Sequence, residues 1–159
     1  MSKRILVVDD HDVVRQGVRL ILRNRPEWQV VAEADDGFQA VEKIQSLDPD
    51  LVILDISMPR KDGLEVLRDL QKLKIRSKIL VLTMHDSKEL SAEVQKLGAS
   101  GCVMKTHAAR DLARAMQDVF DGGIFFSGET PPSPKSAADE KPDKKSGILC
   151  AGLLQPGMA

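Results

Sequence analysis

Five residues with reactive or cation-binding side chains stand directly after short apolar runs. Asp9 and Asp10 follow Ile5-Leu6-Val7-Val8, Asp55 follows Leu51-Val52-Ile53-Leu54, Thr83 follows Ile79-Leu80-Val81-Leu82, and Lys105 follows Cys102-Val103-Met104. Three carboxylates gathered in one crevice repel each other unless a cation sits among them, and hard oxygen donors without His or Cys partners favour Mg2+. A lysine and a hydroxyl beside that cation suit an oxyanion such as a phosphoryl group. Each residue taken singly has a plainer use. Asp10 or Asp12 could be the N-cap of a following helix, Thr83 could cap as well, and Lys105 could be a solvated surface lysine. Capping does not account for an Asp pair, an Asp, a Thr and a Lys at four separate places of this kind, so the set points to Mg2+-assisted phosphoryl chemistry.

That chemistry requires the four places to converge, and the periodicity of the chain supplies the means. After Asp10, the residues Val13, Gly17, Val18, Ile21 and Leu22 recur at helical spacing until Pro26. Val30 to Ala34 is short and β-branched, and Phe38, Val41, Ile44 and Leu47 then mark a helix stopped by Asp48-Pro49. The run ending at Asp55 is followed by a Pro/Gly loop and by Leu64, Val66, Leu67 and Leu70; the run ending at Thr83 is followed by Leu90, Val94 and Leu97. The last run precedes Leu112, Ala115, Met116 and Val119. Strands apolar at consecutive positions are buried on both faces, and their alternation with helices implies parallel crossovers, hence a doubly wound α/β sheet of five strand–helix pairs. In such sheets the ligand site lies beyond the carboxyl ends of the strands, where the five polar residues stand.

The ordered set Val7-Val8-Asp9-Asp10-His11, Leu54-Asp55-Ile56-Ser57-Met58-Pro59, Asp62-Gly63-Leu64, Leu82-Thr83 and Gly98-Ala99-Ser100-Gly101-Cys102-Val103-Met104-Lys105 resembles the receiver domain of two-component response regulators, of the NarL/FixJ type. The resemblance covers residues 3–127 and implies a flavodoxin-like, five-stranded parallel sheet in the order 2-1-3-4-5 with five helices. It further implies that Asp55 is the phosphoacceptor, taking a phosphoryl group from the histidine of a sensor kinase or phosphotransfer protein. Asp10, Asp55 and the backbone carbonyl of Ser57 would ligate Mg2+, Asp9 would act through water, Lys105 would pair with the phosphoryl oxygens, and the Thr83 hydroxyl would swing onto the phosphoryl group. A carboxylate is a poor nucleophile toward a dianionic phosphoryl donor, so these roles meet a physical need for charge neutralisation. Met58-Pro59 and Asp62-Gly63 bracket the loop after Asp55. Pro59 restricts Met58 to extended backbone, and Gly63 is able to take a φ closed to other residues, although ordinary turn chemistry would use the same residues.

The chain departs from the family at several positions. An aromatic residue that rotates with the threonine is usual where Cys102 stands; the thiol suits a packed strand residue, and the missing ring puts the threonine–aromatic coupling in question. Thr106 replaces a proline that follows the lysine in many members, so a trans bond and a somewhat altered Lys105 placement are expected. Ser57 and His85 occupy positions that tune how long the phosphoryl group survives, and His85 is expected to control part of that lifetime. His11 and His107 are read as surface or capping residues, since neither has a spaced partner that would make a metal site.

Residues 128–159 hold five of the eight prolines, at 131, 132, 134, 142 and 156, and read as a disordered tail with a short apolar run at its end. The helix-turn-helix domain usual in NarL/FixJ-type proteins has no counterpart there. With 23 basic residues against 24 acidic ones, no overall positive field attracts a phosphate backbone, and direct nucleic-acid binding is not expected. No apolar stretch reaches the ~20 residues of a membrane span. Together with only two cysteines, this suggests a reducing cytoplasm.

The favoured expectation is a stand-alone phosphorylation-switched receiver that is not itself an enzyme, acting by dimerisation or by docking on a partner. A regulator that has lost its DNA-binding domain is the alternative. A phosphatase of the haloacid dehalogenase class is disfavoured, because it needs a second aspartate where Ser57 stands.

Overall fold

The computed structural model describes residues 2–84 and 87–126. The predicted tail and His85 lie outside the described residues.

Strands β1 (Lys3–Val8), β2 (Trp28–Ala34), β3 (Leu51–Asp55), β4 (Lys78–Thr83), β5 (Gly101–Met104) and β6 (Phe125–Phe126) form one parallel sheet in the order β2-β1-β3-β4-β5-β6. Helices α1 (Asp12–Leu22), α2 (Gly37–Leu47), α3 (Gly63–Leu73), α4 (Lys88–Lys96) and α5 (Ala108–Phe120) connect them, and a single 3-10 turn at Lys105–His107 leads into α5. The alternation of strand side chains assigns the helices to faces. Leu6, Val8, Val52, Leu54, Ile79, Val81 and Cys102 share one core with Ala40, Ile44, Val66, Leu67, Leu70 and Val94 of α2, α3 and α4. Ile5, Val7, Leu51, Ile53, Leu80, Leu82 and Val103 share the other with Val18 and Leu22 of α1 and Leu112, Ala115, Met116 and Val119 of α5. Full burial of a Val, Leu or Ile is worth about 1.5–3 kcal/mol, so strands buried on both faces are firm mounts for whatever follows them.

The sixth strand corrects the expected five. After α5 the chain turns at Gly122 (φ +92°) and runs back along the free edge of β5. There Phe125 N–H donates to Ser100 O at 3.1 Å, and Phe125 and Phe126 stand in register with Gly101 and Cys102. Gly101 makes room for this: a Cβ there would lie 2.6 Å from Phe125 O. A two-residue strand carries too little periodicity to be seen in the sequence.

Other expectations shift in detail. Val13 and Phe38, counted on apolar helical stripes, are 78% and 59% exposed, and Leu90 and Leu97 are half-buried at the edge of the core. Neither Asp10 nor Asp12 caps α1. The N-cap is His11, whose side chain makes no capping bond, and Asp12 instead contacts Arg15 and Gln16. Nor does Thr83 cap α4, since Ser87 does so by accepting from Leu90 N–H. Gly63 does not use left-handed backbone. It is the first residue of α3, and a Cβ there would lie 2.6 Å from Asp55 O and 2.8 Å from Ile56 Cα, so space and not φ is what the site demands. The left-handed residue of this loop is Arg60, at φ +69°.

Candidate functional site

Strand register brings the predicted residues to one edge. Val8 pairs with Leu54, Asp55 with Leu82, and Thr83 with Met104, so Asp9, Asp55, Thr83 and Lys105 fall side by side at the carboxyl end of the sheet. Asp9, Asp55 and Thr83 are buried, at 0%, 1% and 3% exposure. Asp10 is half-buried at the start of the β1–α1 corner.

Lys105 binds the corner together. Its Nζ lies 2.9 Å from Asp9 Oδ2 and 3.0 Å from Asp55 Oδ1. The Lys105–Thr106 bond is trans, as expected, and the side chain still reaches both carboxylates. Ser57 is exposed in the loop after β3, and its N–H donates to Asp55 Oδ1 at 3.2 Å. Asp55 Oδ2, although buried, has no hydrogen-bond partner. Burial first, and then the neighbouring Asp9 charge, push the Asp55 carboxyl above the usual carboxylate range, and Lys105 and the Ser57 N–H pull it back only part of the way. Burial also works against the Lys105 ammonium, but its contacts with Asp9 and Asp55 outweigh that and lift it above its ordinary value. The corner therefore carries more negative charge than one lysine neutralises.

A divalent cation fits this donor set. One donor atom from each of Asp9, Asp10, His11 and Asp55 lies within 4.8 Å of every other, and the oxygens are hard. Apart from contacts with Lys105 and His11, Asp9 Oδ2, Asp10 Oδ1 and Asp55 Oδ2 are buried acceptors without a hydrogen-bond partner, which suits a cation among them.

Two features of the site were missed in the sequence. His11 Nδ1 lies 3.1 Å from Asp9 Oδ1 and 3.2 Å from Asp10 Oδ1. Spacing rules look for metal partners a helical turn away, whereas the partners of His11 are its immediate neighbours across a strand–helix corner. The second feature is the anchoring of the β3–α3 loop. Arg60 pairs with the buried Asp36, the N-cap of α2, and Lys61 pairs with Asp69 at 2.6 Å. Asp62 and Glu65 close a capping box at the start of α3. No pattern within either segment could have shown the contact between Asp36 and Arg60. Cys102 is a buried strand residue, as expected, and it stands in register with Phe126.

Residues 5–117 match the family described as the response regulator receiver domain. The chain belongs to this family. The receiver is similar to the transcriptional regulatory protein DegU of Brevibacillus brevis, 40% identical over 123 residues that cover 77% of this chain and 52% of that protein. It is also similar to the nitrate/nitrite response regulator protein NarL of Escherichia coli strain K12, 36% identical over 123 residues covering 77% of this chain and 57% of that one. The chain thus spans little more than half the length of these curated relatives. Among solved structures, a two-component response regulator of the LuxR family from Aurantimonas sp. SI85-9A1 superposes with a TM-score of 0.76 at 33% identity, over 80% of this receiver and 91% of that chain. Among the described residues, no helix of the receiver is long and apolar enough to cross a membrane.

Proposed function

We propose that this receiver accepts a phosphoryl group on Asp55 from the phosphohistidine of a sensor kinase or phosphotransfer protein, and that the resulting acyl phosphate switches a protein-contact surface. The observation that carries this is a buried carboxylate, Asp55, whose Oδ1 is held by a lysine that also reaches Asp9 while its Oδ2 has no hydrogen-bond partner. Oδ2 attacks phosphorus, the phosphorus–nitrogen bond to the donor imidazole breaks, and the imidazole leaves with its electron pair.

Asp10, Asp55 and the Ser57 carbonyl would hold Mg2+, with Asp9 acting through water; the ion, when bound, offsets negative charge on the transferring oxygens. Lys105 adds a second positive charge on the same side, while the Ser57 N–H holds Oδ1 and leaves Oδ2 to react. Thr83 ends the strand that adjoins that of Asp55, and its hydroxyl would meet the new phosphoryl oxygens. No second carboxylate stands at position 57 to activate water, which supports a phosphoacceptor that hydrolyses slowly over an enzyme that turns substrate over.

The output surface is the face made by α4, β5 and α5, where Lys88, Glu89, Lys96, Arg110 and Arg114 are exposed, Arg110 being paired with Asp111 within its own helix. The experiment is incubation of the full chain with acetyl phosphate and Mg2+, followed by intact-mass measurement, peptide mapping and gel filtration. One phosphoryl group on Asp55, absent in Asp55→Asn, together with a phosphorylation-dependent change of size, supports self-association. Labelling without a size change directs the output to a different partner. Absence of label, or label at another residue, refutes the assignment.

A further inference from the structure

Arg15 ties the β1–α1 corner to the rest of the sheet, and phosphoryl transfer gives it no task. Its guanidinium reaches three acceptors on three segments of the chain. Nη1 donates to the backbone O of Asp9 at 2.5 Å, Nε to Glu33 Oε1 in β2 at 2.9 Å, and Nη2 to Asp12 Oδ1 in α1 at 3.1 Å. Only 16% of the side chain is exposed. A planar fork with donors in fixed directions serves three such acceptors together, whereas an ammonium on a flexible stem does not reproduce that geometry.

The contact with Asp9 is the one with a chemical consequence. The Asp9 N–H already donates to Ala34 O at 3.1 Å, so Arg15 completes the fixing of this residue's backbone just past the end of β1. The peptide from Asp9 to Asp10 is planar, and holding its carbonyl oxygen sets the direction in which the chain presents the Cα of Asp10. Asp10 has little other support. Among the described residues, its carboxylate is contacted by the ring of His11, a side chain that is itself 63% exposed. Charge is the smaller part of what Arg15 brings. Glu33 and Asp12 match its positive charge within its own contacts, although Glu33 is shared with Arg19.

We infer that Arg15 is a positioning residue for the phosphoacceptor site: by holding the Asp9 carbonyl it sets where the Asp10 carboxylate stands, without touching the ion or the phosphoryl group. The inference rests on the assignment of this corner as a metal-assisted phosphoacceptor site. The sign of the effect on metal binding separates geometry from charge. A positive side chain beside a cation site repels the ion, so its removal would tighten Mg2+ binding if charge alone mattered. Removal of a positioning contact loosens it.

The full chain, stripped with a chelator, is titrated by calorimetry with Mg2+ as wild type, Arg15→Ala and Arg15→Lys, and the stability of each is measured by urea unfolding in chelator. Arg15→Ala should lose Mg2+ affinity about tenfold, the scale on which groups that orient metal ligands act, and Arg15→Lys, which keeps the charge but not the fork, should change in the same direction. Tighter binding by Arg15→Ala with wild-type binding by Arg15→Lys overturns the inference in favour of charge. Reduced stability with wild-type affinity in both variants overturns it in favour of a tie that only holds the fold together. If Arg15→Ala does not fold, Arg15→Lys decides alone: weakened Mg2+ binding supports positioning, and wild-type binding overturns it. Failure of the underlying assignment is separately visible, as a wild-type chain that binds no Mg2+ and is not labelled on Asp55 by acetyl phosphate.

Discussion

Removing the charge of Asp55 should make the metal-free protein more stable at neutral pH. Asp9 and Asp55 offer donor oxygens no more than 4.8 Å apart, which at an effective dielectric constant of about 20 corresponds to about 3.5 kcal/mol of repulsion. Lys105 at 3.0 Å returns about 5.5 kcal/mol of attraction to Asp55 on the same scale. Pair interactions alone would thus favour the carboxylate, yet its titration is displaced upward, so burial costs more than the balance returns. Asp55→Asn keeps the shape and abolishes that cost, for a gain on the order of 1–2 kcal/mol.

The pH dependence has a definite sign. Because the native carboxyl titrates above its unfolded value, the wild type takes up a proton on folding between the two; the penalty is full above the native value and gone below the unfolded one. Urea unfolding in chelator should therefore show the variant ahead at pH 7 and the two proteins converging on acidification. Excess Mg2+ should reverse the order, since an ion at a hundred times its dissociation constant adds about 2.7 kcal/mol to the protein that binds it. A variant less stable than wild type at pH 7 without metal, or a gain that grows toward acid, refutes the account.

Lys105→Met leaves Asp9 and Asp55 buried without their shared counter-ion. It should cost about 3–5 kcal/mol in metal-free urea unfolding, with part recovered when Asp55→Asn is added, and should slow labelling by acetyl phosphate about a hundredfold. Gly63→Ala places a methyl against Asp55 O and Ile56 Cα, both backbone, and should lose about 1–3 kcal/mol while slowing Asp55 labelling, because the loop carrying Ser57 must shift. Arg60→Gly and Arg60→Ala both lose the pairing with Asp36, but glycine accepts the left-handed backbone, so its variant should be more stable than the alanine one by about 1 kcal/mol. Equal stability of the two would show that Arg60 is not strained.

The identities of the chemical residues were legible in one dimension because a doubly wound sheet concentrates chemistry at a predictable place. An apolar run buried on both faces must end where the strand leaves the core, and the next residue, whether Asp9, Asp55 or Thr83, is delivered to the carboxyl edge of the sheet. The same logic gave the two cores, since alternate residues of each strand face opposite helices. Sequence periodicity failed where it reports only propensity. Val13 and Phe38 are apolar but lie outward, and Gly63 is required for the space beside Asp55 O and not for its φ.

What only the tertiary structure decided is which groups touch. Lys105 is far from Asp9 and Asp55 along the chain, and its double contact follows from the β1–β3–β4–β5 register. Arg60 and Asp36 meet because the loop after β3 packs on the start of α2. His11 acquires its two oxygens from the bend between β1 and α1. The sixth strand exists because Gly101 lets Phe125 approach the edge of β5. Residue type and burial pattern, which determine the fold class and the kind of chemistry, are local properties of the chain. Distances between charges are properties of register and corner geometry, and the upward displacement of Asp55, the bridging role of Lys105 and the place of His11 depend on those distances.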